Sequence, residues 1–419
     1  MESPRTVRDE ERDTPRPIYC VWEITLRCDH ACEHCGSRAG PVRDDELSTA
    51  ELLEVADALV RLGTREVTLI GGEAYLRADV YTLVEHLARQ GLRVTMQTGG
   101  RGLTAERARR LADAGLEAIG VSIDGTAASH DLLRASAGSH AAAMRAIEHG
   151  QAAGLVVTAN TQINRLNMGE LPALAELLEA AGVLVWRAQL TAAMGRAGDH
   201  PEWIVQPWMV VEIIDTLAAI QTAAFARATA RGVPADRSFH VAIGNNLGYY
   251  GPHEQLLRSR PGRGNRYFGG CQAGQFVMGI ESDGTVKGCP SLPTAPYVGG
   301  NVRTLSLADI WRDGEGMKFT RDRTREELWG FCSECYYADV CRAGCSFTTH
   351  SALGRRGNNP FCYYRVRTLE RRGIRELLVH AERPPGDPYD FGRFELCEQP
   401  WEQALPEPAS PRRTLPLAT

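Results

Sequence analysis

Between residues 18 and 195, short apolar runs alternate with amphipathic ones, and this rhythm limits the fold more than any other feature of the 419-residue chain. VWEITL (21–26) reads as a strand, and STAELLEVADALVRLG (48–63) as a helix opened by Ser48 as N-cap, with Glu51 three residues on. EVTLIGG (66–72), RVTMQTGG (93–100), EAIGVSIDG (117–125), LVVTANTQIN (155–164) and VLVWRAQL (183–190) continue the strands. Helical patterns over 81–90, 104–115, 140–153 and 170–181 fall between them. Strand–helix units with short connections predict an α/β fold, a parallel sheet with helices packed outside it, closed into a barrel or left open. Either way, the C-terminal ends of the strands form the working face.

Cysteine placement comes next. The start, MESPRTVRDEERDTPRP, is polar with no apolar signal core, and no run of eighteen apolar residues follows, so neither export nor a membrane span is expected. The expected compartment is the cytoplasm, where thiols stay reduced and twelve cysteines read as metal ligands before disulfides. Cys20, Cys28, Cys32 and Cys35 lie early, 235 residues follow with none, and Cys271, Cys289, Cys332, Cys335, Cys341, Cys345, Cys362 and Cys397 come late. A net charge of -5 argues against nucleic acid or an anionic membrane as partner, and the short basic stretch GRGNRYFGG does not reverse that.

Cys28, Cys32 and Cys35, in CDHACEHC, put three thiols in the loop after the first strand. Structural zinc wants four ligands, whereas a [4Fe-4S] cube held at three corners leaves one iron open to bind a substrate. The arrangement resembles the radical S-adenosylmethionine (SAM) superfamily, whose CxxxCxxC follows the first strand of a partial (β/α)6 barrel. The resemblance implies a [4Fe-4S] cluster whose open iron is chelated by SAM, with reductive cleavage to a 5'-deoxyadenosyl radical that abstracts a substrate hydrogen atom. By the same resemblance Gly71, Gly72 and Glu73 contact the SAM amino group, Ser122 and Asp124 hold its ribose, and Arg134 faces its carboxylate. His34 stands where the family often has Tyr or Phe, and a histidine ligand there would block the open corner.

The late cysteines run C271…G284-x4-C289…C332-x2-C335-x5-C341-x3-C345-x16-C362. This order resembles the SPASM domain, a Cys-rich extension of some radical SAM enzymes that carries two auxiliary iron-sulfur clusters, expected to be [4Fe-4S]. The resemblance implies Cys332, Cys335, Cys341 and Cys362 as ligands of an outer cluster, and Cys271, Cys289 and Cys345 as ligands of an inner one whose fourth position is either completed by another residue or open to water or substrate. Two structural zinc knuckles are the plainer alternative for the spacings alone. Around Cys289, GIESDGTVKGCPSL (279–292) reads as a hairpin turning at Asp283-Gly284.

The expected organisation is a flexible segment 1–17, the partial barrel 18–195, a helical bridge and loop 196–270, the SPASM domain 271–365, and a C-terminal helix with a proline-rich tail 366–419. Cys20 reads as a small core residue, and Cys397 as inert, or as a late ligand or hydrogen-atom donor if the tail folds back over the site. Trp203, Trp208, Tyr249 and Tyr250 read as core or as an interface between barrel and cluster domain, and Asp79, Asn160, Gln162, Asn164 and Gln189 are polar candidates near strand ends. If auxiliary clusters accept an electron from the substrate radical, the outcome is an oxidation or cross-link; if a thiol returns a hydrogen atom, it is epimerisation. The first expected substrate is a ribosomally made precursor peptide, although seventeen residues before the first strand are too few for an N-terminal leader-binding domain. The second is a small molecule such as an amino sugar or cyclitol, and in either case an electron donor such as flavodoxin or ferredoxin is implied. A non-enzymatic zinc or iron-sulfur scaffold would require the GGE and SID motifs to be accidents.

Overall fold

A computed structural model describes residues 4–259 and 265–405. Seven parallel strands run in chain order across one sheet: β1 (Tyr19–Glu23), β2 (Glu66–Ile70), β3 (Arg93–Thr98), β4 (Leu116–Ser122), β5 (Val156–Ile163), β6 (Val185–Leu190) and β7 (His240–Ile243). Helices α1 (Thr49–Arg61), α2 (Val80–Arg89), α3 (Ala105–Asp113), α4 (Ala127–Leu133), α5 (Ser139–Ala152), α6 (Leu171–Ala180) and α7 (Met209–Ala230) connect them. The sheet continues past β1 through β8 (Val277–Ile280), β9 (Thr285–Lys287) and β10 (Val298–Asn301), and its end strands β7 and β10 do not pair, so the barrel stays open.

Period-2 alternation sorts each strand's side chains between two environments. Trp22, Leu69, Met96, Val121, Ala159 and Ala188 are buried in the core that includes the helices. On β5 the alternate residues Thr158, Asn160 and Gln162 are only half-buried, so the opposite, inner face is polar and open. Gly120 on β4 explains one glycine by this face: Asn160 Nδ2 donates to Gln97 Oε1 across it, and a Cβ there would sit 2.1 Å from Gln97 Oε1.

Ser48 begins α1 as the sequence predicts. Its Oγ accepts from Glu51 N at 3.3 Å, and its own N–H donates to Glu51 Oε2 at 2.7 Å. Arg303 Nε donates to the other Glu51 oxygen at 2.6 Å, tying α1 to the segment after β10. Removing the cap with Ser48→Ala is expected to cost about 1 kcal/mol, read as a lower urea midpoint with unchanged slope. An unchanged midpoint would mean that Arg303 alone holds this helix end.

Two expectations need correcting, and a third gains a partner strand. The bridge assigned to 196–270 contains β7, whose register on β6 runs from Val185↔His240 to Ala188↔Ile243. Four residues carry no readable alternation, and the strand exists because β6 offers an unpaired edge. The hairpin β8–β9 turns at Gly284, with φ +87, as expected, but β8 also pairs in parallel with β1, so the segment from 271 extends the barrel sheet. The stretch assigned to an extended tail forms an antiparallel pair, β11 (Ile374–Glu382) with β12 (Arg393–Pro400); only the part beyond 405 lies outside the described residues. Pro384, Pro385 and Pro388 occupy the connecting loop, where no ladder hydrogen bond is needed, and Pro400 falls at the very end of β12 opposite Ile374. Cys397 sits exposed on β12 opposite Leu377.

Among the described residues α7 is the one helix long and apolar enough to cross a membrane. It instead buries Ile213, Leu217 and Ala224, packs on α6 and β7, and uses buried Gln221 to bond Phe239 O just before β7 and Val241 N within it.

Candidate functional site

The loop from β1 to α1 carries Cys28, Cys32 and Cys35 at the C-terminal end of the sheet. Its base is closed by Cys28 N donating to Gly40 O at 2.9 Å and Gly40 N to Leu26 O at 3.0 Å. Arg196 grips its tip, Nε donating to Cys32 O at 2.6 Å and N to Cys35 O at 2.9 Å. Gly195 beside it has φ +58, and a Cβ would lie 2.3 Å from Cys35 O, so only glycine lets these segments meet. Burial, reinforced by Glu73, pushes the Cys28 thiol up to about 12; burial, opposed by Arg134, pushes Cys32 up to about 11. A metal entering here must therefore displace protons.

Gly71 and Gly72 follow β2, and their need for glycine is internal. A Cβ on Gly71 would be 2.2 Å from Thr25 O and one on Gly72 2.2 Å from Arg27 O, so the two loops touch backbone to backbone. Glu73 is buried, and its carboxylate accepts from Thr98 Oγ1 at 2.6 Å and Gly99 N at 2.5 Å. Burial drives its pKa up to about 8, those two donors only partly offsetting the cost. An incoming ammonium would remove that cost. His30 lies on the same side of Gly99 as Glu73, is 5% exposed, and neither ring nitrogen has a partner among the described residues. The sequence reading missed it because an imidazole between two cysteines carries no pattern of its own.

Ser122 ends β4 half-buried, with no side-chain hydrogen bond among the described residues. Asp124, two residues on, is fully buried and engaged on both oxygens. Oδ2 accepts from Arg134 Nη2 at 2.5 Å and pairs with His34 Nε2 at 3.0 Å, while Oδ1 accepts from Gln162 N at 2.9 Å. Burial alone would raise this carboxyl, but Arg134 and then His34 hold it far below the carboxylate range. Arg134 also points Nη1 at Cys32 Sγ, 3.6 Å away, and its Nε is unpartnered among the described residues. The other nitrogen of His34, Nδ1, bonds Leu133 O at 3.0 Å, so both nitrogens are directed to α4 and Asp124. The further candidates divide: Asn160, Gln162 and Gln189 lie half-buried on β5 and β6, whereas Asp79 pairs with Arg77 and Thr49, and Asn164 is wholly buried.

The late cysteines fall into two groups. Burial lifts Cys289 to about 12 and Cys345 to about 11, and in each the next cause is the neighbouring Cys271. Cys341 is raised by burial and then by Cys332, and Cys362 by burial and then by Cys341, with Cys335 acting on both. These four thiols line one cavity with Tyr249, Tyr337, Tyr364 and Arg365. Tyr249 stands between the groups, its hydroxyl accepting from Cys345 N at 3.1 Å and Asn359 Nδ2 at 3.3 Å. Arg365 is clamped to Glu376 of β11, Nε–Oε2 2.7 Å and Nη2–Oε1 2.5 Å, so the C-terminal hairpin braces this cavity.

The donor sets fit iron-sulfur clusters better than zinc. Tetrahedral zinc at about 2.3 Å from each sulfur gathers thiolates to within about 4 Å of one another, whereas a cube binds each thiolate to a different iron and holds them farther apart. All twelve cysteines are free thiols, and among the described residues the group of three ligating atoms within 4.8 Å of one another is Cys28, Asp29 and Glu73, not a set of cysteines.

Comparison with known proteins agrees. The radical SAM superfamily matches residues 22–178, and the iron-sulfur cluster-binding SPASM domain matches residues 271–336. The mycofactocin maturase MftC of Mycobacterium ulcerans is 31% identical over 86% of this chain and 91% of its own. The AdoMet-dependent heme synthase of Nitratidesulfovibrio vulgaris is 29% identical over 87% of this chain and 96% of its own. Among solved structures, Streptococcus suis SuiB bound to S-adenosylmethionine superposes with TM-score 0.59 at 14% identity, covering 83% of this chain and 76% of that one. Native anSMEcpe with bound AdoMet gives 0.62 at 16% identity, covering 84% and 95%. With the α/β barrel, the cysteine loop and two thiol groups in place, the chain belongs to the radical SAM superfamily and is an iron-sulfur enzyme that carries the SPASM domain and uses SAM.

Proposed function

We propose that this enzyme modifies a ribosomally made precursor peptide by hydrogen-atom abstraction, with cross-linking, oxidation or epimerisation as the class of outcome. The similarity to the mycofactocin maturases carries the reading, because it spans barrel and cluster domain together. The open, polar inner face around Asn160, Gln162 and Gln189 supports it, since an extended peptide needs donors and acceptors along its backbone.

When bound, the cluster and SAM supply the electron transfer and the deoxyadenosyl radical. Cys28, Cys32 and Cys35 hold that cluster, and Gly71, Gly72 and Glu73 form the wall that receives the SAM amino group. Glu73 binds the ammonium, with Thr98 and Gly99 fixing the orientation of its carboxylate. Ser122 faces the ribose. Asp124 acts through others, holding Arg134 beside Cys32 and toward the SAM carboxylate and tying His34 to α4. Cys332, Cys335, Cys341 and Cys362 take the outer auxiliary cluster, and Cys271, Cys289 and Cys345 the inner one. A flavodoxin or ferredoxin donates the electron.

A small-molecule substrate is the second reading, favoured by the heme synthase relatives. The test is deoxyadenosine release by reconstituted enzyme with SAM and reductant, with or without a precursor peptide encoded beside its gene. Peptide-dependent release with a mass change in the peptide supports the first reading. Release that no such peptide stimulates but a small metabolite does, with deuterium passing from labelled metabolite to deoxyadenosine, replaces it with the second.

A further inference from the structure

Arg323 is 3% exposed, yet most of its guanidinium is unspent. Nη1 donates to Ser346 Oγ at 3.3 Å, and Nε and Nη2 have no partner among the described residues. A buried arginine stays charged and costs stability unless an anion meets it. Among the described residues no carboxylate does so. The nearby Glu327 is taken by Arg356, whose Nε donates to Glu327 Oε2 at 2.9 Å and which itself repels Arg323. Tyr297, the other polar neighbour, is bonded to His350 Nδ1 at 2.9 Å. The neighbour left is Cys271: the segment that carries Arg323 is bonded just beyond that cysteine, Arg321 Nε donating to Gly274 O at 2.6 Å, Cys271 and Cys289 pack in the same cluster as Phe319, and Ser346, on the other side of the guanidinium, directly follows Cys345. Arg323 thus lies beside the three-cysteine group with Nε and Nη2 unspent.

We propose that Arg323 donates its Nε–H and Nη2–H to the sulfur face of the inner auxiliary cluster and so raises that cluster's reduction potential. The inference rests on the reading of Cys271, Cys289 and Cys345 as its ligands. Reduction adds one negative charge to the cluster, and a fixed cation with hydrogen bonds to sulfur stabilises the reduced form more than the oxidised one. Arg323 is a buried cation with free donors beside this group, whereas at the outer group Arg365 is already neutralised by Glu376.

The experiment is an EPR-monitored redox titration of the reconstituted full chain, with iron counted per chain, for wild type, Arg323→Met, Arg323→Lys and Arg323→Met in a Cys271→Ala background. In Arg323→Met, one auxiliary cluster should show at least a tenfold lower ratio of reduced to oxidised form at the wild-type midpoint, a shift of about 59 mV for one electron. Lysine should recover part of the shift, the SAM-responsive cluster and the other auxiliary cluster should keep their midpoints, and the Cys271→Ala background should abolish the effect. Unchanged midpoints at full iron content, or a shift that survives Cys271→Ala, overturn the proposal. If Arg323→Met loses about one third of its iron, Arg323→Lys decides: regained iron supports a charge requirement, and iron still missing overturns it. Wild-type protein without two auxiliary signals rejects the cluster reading itself, a result separate from any effect of Arg323.

Discussion

Replacing Cys28, Cys32 and Cys35 together by alanine is expected to abolish deoxyadenosine formation from SAM and reductant while about two thirds of the iron, roughly eight of twelve per chain, remains bound. The loop's backbone does not depend on the thiols. Its base is closed by the Cys28–Gly40 and Gly40–Leu26 backbone bonds, and its tip is held by Arg196 through carbonyl oxygens. The substitution therefore removes one cluster and leaves the two thiol groups beyond residue 270 untouched. Zinc in place of iron in the wild type, or SAM cleavage persisting in the variant, would contradict the assignment of the loop.

The largest effect on stability is expected at Asp124. Asp124→Ala leaves Arg134 and His34 buried beside an empty space, and breaking such a buried pair by removing one partner costs about 3–5 kcal/mol. The measurement is the urea unfolding midpoint of the reconstituted protein, paired with SAM affinity by equilibrium binding. As a strut, Asp124 loses stability first and SAM affinity as a consequence, and Asp124→Asn, which keeps an acceptor but no charge, falls between. A variant as stable as wild type that binds SAM poorly would make Asp124 a direct ribose contact, as the family resemblance implies, and would sink the strut reading.

Much of this was legible in the sequence. The six predicted strands all form, because period-2 apolar alternation flanked by capped helices has one low-cost arrangement, and Ser48 with Glu51 builds its capping box. Cys20 is wholly buried. What escaped depends on partners distant in sequence. β7 has too few residues to announce itself and is recruited by an edge, and β8 joins β1 across more than two hundred residues. The C-terminal hairpin was hidden because its loop, PPGDPYDFGRF, has the composition of a tail. One reason for Gly71 and Gly72 was also invisible: the carbonyls of Thr25 and Arg27 stand where their Cβ atoms would be, a contact between loops that no local pattern announces.

That hairpin loop bears on the order in which the enzyme can be completed. Tyr389 donates its hydroxyl to Glu23 at the end of β1, and Asp390 accepts from Arg38 Nε at 2.8 Å while its carbonyl takes the N–H of Gly195. Arg38 stands three residues after Cys35, and its partner is 352 positions later in the chain. During synthesis the ribosome releases the thiols of the first loop long before the residues that fasten it. The nascent chain thus carries the thiol loop on its own early bonds to Gly40 and Arg196, and the outer latch made by Tyr389 and Asp390 closes only after the last strands have emerged.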